Sequence, residues 1–301
     1  MPTNKDDKNS IEIGKVFLLK ELVEDLFGDV IGMLPENQKE KFGDDVRKKI
    51  LEVIVKMTQM DLNLTEEQKT LSNEFLRVGE RDLKYSKLAF ENKDYDKSVR
   101  DMTTSVESFV LAFGVSFLGI TEKEAKEMNH HVTRTFTSIL YKDPFSELID
   151  LITEIYKDQI NDPKENKINK SIDDLWNNKD SQVLDEKQLN ALLNLTKNIN
   201  EAVNLELNKE DNKQIINLLN TFGFYLSSFL DIPYLIADLY IISFIAYPHY
   251  NSAQHANNQA IKPKDYTSDL GIVKAMPDVL EMLSRIDEKL GHLIKGSNGK
   301  D

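Results

Sequence analysis

Cysteine is absent from the 301 residues of this chain, and glycine (12) and proline (8) are scarce. Without cysteine the chain has no disulfide framework, no thiolate zinc site and no cysteine nucleophile. With few turn-forming residues it is poorly suited to the many chain reversals of an all-β fold. These absences favour long helices and fit a reducing compartment, for which we expect the cytoplasm.

Long uncharged hydrophobic runs are also missing. The apolar stretch near the N-terminus carries charged residues between Lys15 and Asp25, which is not typical of a signal peptide. The most apolar region, 215–247, is divided by Pro233 and contains Asp238. An uninterrupted apolar run of about 20 residues is needed to span a bilayer. We therefore expect a buried pair of helices here rather than a membrane hairpin.

Basic residues are outnumbered, with 38 Lys and Arg against 51 Asp and Glu, which gives a formal net charge of -13. Nucleic acids are bound largely through cations that neutralise phosphates, so this balance works against nonspecific binding. Any RNA contact would require a local basic pocket. The chain also lacks a glycine-rich phosphate loop, a serine nucleophile elbow and a paired-carboxylate signature.

Helical periodicity runs through nearly the whole chain and predicts an all-α fold. We expect an antiparallel up-and-down bundle with core helices near 65–91, 94–118, 121–141, 211–230 and 233–247. The predicted organisation is an N-terminal helical extension (1–64), the bundle (65–257, with a helical insertion at about 144–209) and a C-terminal loop and helix (258–301). Proline and a polar loop set the later boundaries: we expect a loop over 249–269 and a last helix from about Pro277 to Ile294.

Local signals place the first bundle helices. Thr65 with Gln68, and Thr121 with Glu124, form capping-box patterns that predict helix starts. A turn is predicted at 92–94, and Gly119 is expected to end the second helix. In that helix a series of apolar residues alternates steps of four and three, which predicts one buried seam. The seam comprises Tyr95, Val99, Met102, Val106, Phe109 and Phe113.

The segment that begins at Gly79, GERDLKYSKLAFENKDYDKSVRDMTTSVESFVLAFG, resembles the first helical hairpin of HEPN domains. Its matching features are the charged stretch 80–83, Ala89, an aromatic residue after the turn (Tyr95) and an acid in the second helix (Glu107). Asn129-His130-His131 resembles a His-containing segment that opens the next family helix. At 252–257 Gln254, His255 and Ala256 replace the Arg, Tyr and Pro of a family motif. The resemblance covers residues 65–141 and, more faintly, 210–257.

The resemblance implies a homodimer that binds RNA, a nucleotide or a protein partner of the nucleotidyltransferase type, in a toxin–antitoxin or defence system. HEPN ribonucleases cleave RNA without metal or cofactor, through an Arg and a His a few residues apart on one helix. Only Arg285 with His292 has this spacing here. The pair lies outside the resembling segment, and a match of this kind occurs at a frequency expected by chance. We therefore expect a non-catalytic divergent member. A metal-independent endoribonuclease with a non-standard site and an oligomeric helical scaffold are the alternatives.

Individual candidates have structural interpretations beside the functional ones. His131 and Arg134 could bind a phosphate at a helix N-terminus or simply cap and pack there. Glu107 is expected to pair with Arg81 or Lys84 across the hairpin, with a role in a functional groove as the alternative. Arg285 and His292 are expected on a solvated helix end, where cations favour the terminal carbonyls.

A metal site at His249 and His255 lacks a carboxylate at ligand spacing, so we predict no metal and no cofactor.

Overall fold

The computed structural model describes residues 64–128, 184–187, 189–190, 192–194, 196–197, 210, 213, 226–254 and 261–296. This described part is 86% helical and has no strand, which confirms the predicted all-α class. Its helices are α1 (Glu66–Glu91), α2 (Tyr95–Phe117), α3 (Glu122–Met128), α4 (Leu226–Gln254) and α5 (Gly271–Gly296). A 3-10 turn at Pro263–Asp265 precedes α5. The predicted extension and most of the predicted insertion lie outside the described residues.

The start of α1 is fixed by the predicted capping box. Gln68 N donates to Thr65 Oγ1 at 3.2 Å, and Thr65 N donates to Gln68 Oε1 at 3.0 Å. These two bonds satisfy backbone donors that the first helical turn would otherwise leave unpaired. The polar residues around Thr65 therefore begin the helix at a defined position, as the sequence pattern predicted.

A Schellman turn joins α1 to α2 and reverses the chain. Lys93 N donates to Phe90 O and Asp94 N donates to Ala89 O, both at 2.9 Å. Lys93 has φ 60°, the left-handed conformation that this motif requires after a helix end. The turn lies where the sequence predicted it, and its shortness forces α2 to run back antiparallel along α1.

Small residues line the contact between α1 and α2. On α1 they are Ser72, Gly79 and Ser86, and on α2 they are Ser98, Ser105 and Ala112, each set seven residues apart and buried. A spacing of seven returns to nearly the same helix face, so each set forms one continuous strip. Because these side chains are short, the two helix backbones approach closely.

Hydrogen bonds across this strip fix the register. Ser86 Oγ donates to Ser98 O at 2.7 Å, and Ser98 Oγ donates to Ser86 O at 2.9 Å. Ser105 Oγ donates to Gly79 O at 2.9 Å. The second contact lies seven residues earlier on α1 and seven residues later on α2 than the first, so both belong to one antiparallel register. Each hydroxyl thereby finds a partner in an interior where an unpaired one would be costly.

Large apolar residues of α2 form the centre of the core. Val99, Met102, Val106, Phe109 and Phe113 are fully buried, and Tyr95 at the end of the seam is half-buried. The predicted seam therefore faces inward. Helix α2 packs against α1, α4 and α5, and α5 also packs against α1 and α4. One core thus connects the hairpin to the C-terminal helices.

The end of α2 and the start of α3 also follow the predicted signals. Gly119 has φ +66° and follows the last turn of α2, where the left-handed conformation suits glycine. Glu124 N donates to Thr121 Oγ1 at 3.3 Å, and Thr121 N donates to Glu124 Oε2 at 2.9 Å. The predicted helix at 121–141 is described as far as Met128; its remainder lies outside the described residues.

The predicted break at Pro233 is wrong, because α4 continues from Leu226 to Gln254 through both Pro233 and Pro248. It includes residues that were expected to belong to a loop after 249. An interior proline costs a helix about 3 kcal/mol. Burial of a large aliphatic side chain contributes roughly 1.5–3 kcal/mol, and α4 buries many of them on several faces, among them Leu235, Leu239 and Ile242. Packing therefore outweighs the local preference of proline.

The predicted start of the last helix at Pro277 is also wrong, because α5 begins at Gly271. The apolar series continues on both sides of the proline: Ile272, Val273 and Met276 precede it and are buried in the same core as the residues that follow. Segment 184–197 packs at this end, where Lys274 Nζ lies 2.8 Å from Glu186 Oε2. A series of buried apolar residues at helical spacing that continues on both sides of a proline therefore indicates a continuous helix more strongly than the proline indicates a break.

We predict that Gly79→Ala destabilises the protein by about 1–2 kcal/mol. A Cβ at position 79 would lie 2.5 Å from Cε1 of Phe109, whose ring is fully buried and held in place. Overpacking of this kind costs about 1–3 kcal/mol, against a gain of about 1 kcal/mol in helix propensity. Urea denaturation measures the change.

Phe109→Leu supplies the matched control, because it removes the ring atoms that the new methyl group would meet. The double variant should lose at least about 0.5 kcal/mol less than the sum of the single variants. Strict additivity would contradict the close approach of Gly79 to Phe109.

Candidate functional site

Polar groups buried in the described core are the natural candidates for a site, because burial of a polar group needs compensation or a function. They occur at three places: Glu107 on α2, the Asp238–Arg285 pair between α4 and α5, and the His249–Tyr266 pair where α4 meets the segment before α5. Glu107 and Arg285 are also among the residues that the sequence nominated.

Glu107 carries a carboxyl group that is not compensated. Its Oε1 atom is enclosed and finds no hydrogen-bond partner in the described part of the chain. Burial raises the pKa of Glu107 from 4.5 to about 8. The side chain therefore holds its proton at neutral pH, which is the state of a proton donor rather than of a metal ligand.

The predicted pairing of Glu107 with Arg81 or Lys84 is wrong. Arg81 instead donates from Nε to Asp82 Oδ1 at 2.8 Å, and this pair is exposed. In the register set by Gly79 and Ser105, residue 107 lies level with residue 77, so Arg81 and Lys84 are one and two turns away. Both cations also project from the exposed face of α1. Register and helix face together prevent the expected ion pair.

Asp238 and Arg285 form the second group. Asp238 is fully buried in the apolar α4, and its Oδ2 lies 4.0 Å from Arg285 Nε. Arg285 Nη1 lies 3.5 Å from Glu281 Oε1, one turn earlier on α5. Two carboxylates therefore share one guanidinium. Neither contact is a hydrogen bond, so the half-buried guanidinium balances the two carboxylates by charge alone.

This arrangement bears on the Arg285–His292 motif. Arg285 is not on a solvated helix end as predicted: α5 continues to Gly296, and the arginine is half-buried against α4. His292 is exposed, and seven residues of helix separate it from Arg285 by about 10 Å. A phosphate at Arg285 would have to displace Asp238 and Glu281. Within the described part, Arg285 therefore lies between two carboxylates, which does not favour binding of an RNA phosphate there.

A shallow cleft lies beside Arg285, between segment 193–197 and α5. Its empty volume is about 240 Å³, part of it open to solvent. Its charged lining consists of Lys197, Asp278, Glu281 and Arg285, two cations against two carboxylates. Because these charges cancel, the cleft has no electrostatic preference for an anionic or a cationic ligand.

His249 and Tyr266 form the third group, which the sequence did not predict. His249 lies within α4 and is fully buried, and its Nδ1 is hydrogen-bonded to the Tyr266 hydroxyl at 3.0 Å. Burial lowers the pKa of His249 to about 4, so its ring is neutral at physiological pH. The pair ties the chain before α5 to α4 and leaves no exposed histidine nitrogen for proton transfer to a ligand.

Two nominated residues, His131 and Arg134, lie outside the described residues, as does His255. Their position relative to Glu107 is therefore not described. Within the described ranges, no group of three or more His, Asp or Glu side chains is placed to hold a metal ion. Over the same ranges no helix is long and apolar enough to cross a membrane.

Comparison with family models, with curated proteins and with solved structures finds no match for this chain.

We predict that Glu107→Gln removes a pH dependence of stability. The unfolded carboxyl releases its proton near pH 4.5 and the folded one near pH 8. Stability is therefore highest below pH 4.5 and falls as the pH rises towards 8, by at most about 1.4 kcal/mol per pH unit. Urea denaturation should show the two proteins nearly equal at pH 5 and the variant more stable by about 3–4 kcal/mol at pH 8, which is this slope taken from pH 5 to pH 8.

The exposed Glu288 on α5 provides the control, because Glu288→Gln should leave the wild-type pH dependence unchanged. His249 has the opposite effect, because burial of its neutral ring lowers stability as the pH falls below 6.5. This effect is the same in all three proteins and cancels when they are compared. The same pH slope in wild type and Glu107→Gln would refute the burial of a protonated carboxyl.

Proposed function

We propose that this chain is a non-catalytic helical protein that acts by binding a protein partner. The observation that carries the proposal is the neutralisation of Arg285 by Asp238 and Glu281. It argues against an Arg285–His292 pair that binds an RNA phosphate, the arrangement that a metal-independent nuclease would use. The HEPN-like identity expected from the sequence, with its homodimer and its toxin–antitoxin or defence context, belongs to the same proposal.

Charge favours a protein among the partner classes that the resemblance implies. The chain has a formal net charge of -13. Many cations of the described part are already paired with neighbouring carboxylates, including Lys69 with Glu66 and Lys126 with Glu122. Phosphate contacts with RNA or a nucleotide require free cations in numbers. A protein partner has no such requirement.

Glu107 supports a second candidate function, the metal-independent endoribonuclease. A buried carboxyl that keeps its proton near neutral pH has the property of a general acid. Under this alternative, Glu107 would act together with His131 and Arg134. Substitution of each residue separates this function from a purely structural role.

Incubation of the purified protein with total RNA in EDTA tests the proposal, and we predict no cleavage and no RNA complex at low salt. Glu107→Gln and His131→Ala should behave as the wild type. In the same study, the tagged full-length chain is cross-linked and purified from its native cells with nuclease treatment. A protein should co-purify at a constant ratio after washing with salt.

Cleavage in EDTA that either substitution abolishes would overturn the proposal in favour of the ribonuclease. Failure to recover any protein partner, with RNA retained instead, would overturn it in favour of an RNA-binding role. Self-association alone would indicate the oligomeric scaffold.

A further inference from the structure

The middle of the outer face of α1 carries exposed cations and large apolar residues. Between Phe75 and Phe90 every exposed residue is either cationic or large and apolar. The set, which we name the α1 stripe, consists of Arg77, Arg81, Lys84, Tyr85 and Leu88. Exposed acids bound the stripe on the same helix face, with Glu74 one turn before Arg77 and Glu91 one turn after Leu88, so the cationic excess is confined to the three turns between them.

The members of the stripe lie on one face of the helix. Steps of four, three and four residues separate Arg77, Arg81, Lys84 and Leu88, and Tyr85 lies one turn after Arg81, which places the set on one helix face about 16 Å long. The opposite face of the helix carries Gly79 and Ser86 and is closed against α2. The stripe is thus held rigidly by the same hairpin that forms the core.

Charge and apolar surface are both available on the stripe. Arg77 and Lys84 make no ion pair within the described ranges. Arg81 pairs with Asp82, yet its side chain remains 56% exposed. Tyr85 and Leu88, exposed by 48% and 45%, are the large hydrophobic residues most open to solvent in the described part.

We propose that the α1 stripe is the docking surface for an acidic amphipathic helix of a protein partner. The inference rests on the proposed function and names its surface and the chemistry of the partner. An apolar row on the partner would cover Tyr85 and Leu88, and flanking carboxylates would pair with Arg77 and Lys84. Such a helix combines hydrophobic anchoring with charge complementarity along about three turns.

The same observations disfavour the other occupants of this surface. A parallel two-fold dimer through the stripe would place each cation against its own copy, and an antiparallel one would place Arg81 against Lys84 of the second copy. A single-stranded nucleic acid would use aromatic rings for stacking, but Lys97 Nζ already lies 5.6 Å from the centroid of the Tyr85 ring. Leu88 offers no stacking surface.

Fluorescence anisotropy with the full-length chain tests the assignment. The probe is a labelled synthetic helix with a leucine row flanked by glutamates; a matched peptide replaces every glutamate by lysine. We expect micromolar binding of the acidic peptide only, weakened about tenfold or more by Arg77→Glu with Lys84→Glu. The control, Lys123→Glu with Lys126→Glu on α3, makes the same change in net charge and should alter binding less than about twofold.

Tyr85→Ser with Leu88→Ser leaves the charge unchanged and should also weaken the acidic peptide, by about fivefold or more. All altered residues are exposed, and circular dichroism checks that each variant keeps the wild-type melting curve. Absence of binding, equal binding of the lysine peptide, or indifference to both stripe variants would overturn the proposal.

Two further experiments test whether another molecule binds to the α1 stripe. A labelled oligouridine that binds more tightly than the peptide and is lost in the charge-reversed stripe variant would overturn the proposal in favour of nucleic acid. A dimer in sedimentation analysis that this variant dissociates would overturn it in favour of a second copy. If a cellular partner still binds the charge-reversed stripe variant, the stripe is not its docking surface. The proposed function would then stand without this inference.

Discussion

The close approach of α1 and α2 is the constraint on which the rest of the structure depends. It is possible because the residues on the facing strips are small, and it is fixed by the reciprocal hydroxyl–carbonyl bonds between Ser86 and Ser98. With the backbones this near, the ring of Phe109 lies directly against Gly79. The large side chains of α2 then extend inward on its other sides, where α4 and α5 pack against them.

The same constraint decides which polar groups are available for function. The register leaves Glu107 one and two turns from Arg81 and Lys84 and encloses its Oε1 atom, whereas the opposite face of α1 stays open. Between α4 and α5 the charges of Asp238 and Arg285 are directed at each other. Enclosed side-chain atoms without a hydrogen-bond partner in the described part remain at Glu107, Ser116, Ser243 and Arg285, whereas the unpaired cations Arg77 and Lys84 lie on the exposed face of α1.

Local signals in the sequence were sufficient for the hairpin. The Thr65 capping box, the turn at Lys93, Gly119 and the apolar seam of α2 were all predicted, because each depends on residues within a few positions of one another. The small-residue strip was missed, although its spacing of seven is visible in Ser72, Gly79 and Ser86. The prediction rested on the positions of large apolar residues and did not use the small residues that allow two helix backbones to pack closely.

The predicted boundaries of α4 and α5 were wrong because proline was taken to end a helix. The free energy gained by burial of apolar side chains outweighs the local cost of proline in both helices. The site was less predictable still. Asp238 was visible as an acid within an apolar run, but its partner Arg285 comes from a different helix far along the chain. The contact of His249 with Tyr266 likewise depends on how the segment before α5 returns to α4. Such pairs are created by tertiary packing, and no single helix encodes them.

An engineered disulfide tests the hairpin register most directly, because the natural chain has no cysteine. The Oγ atoms of Ser86 and Ser98 lie 3.3 Å apart, so Ser86→Cys with Ser98→Cys should form an intramolecular disulfide under mild oxidation. Intact mass and non-reducing electrophoresis report its formation. The control pair Ser86→Cys with Met102→Cys, one turn out of register, should remain reduced. Preferential cross-linking of the control pair, or of neither pair, would contradict the account.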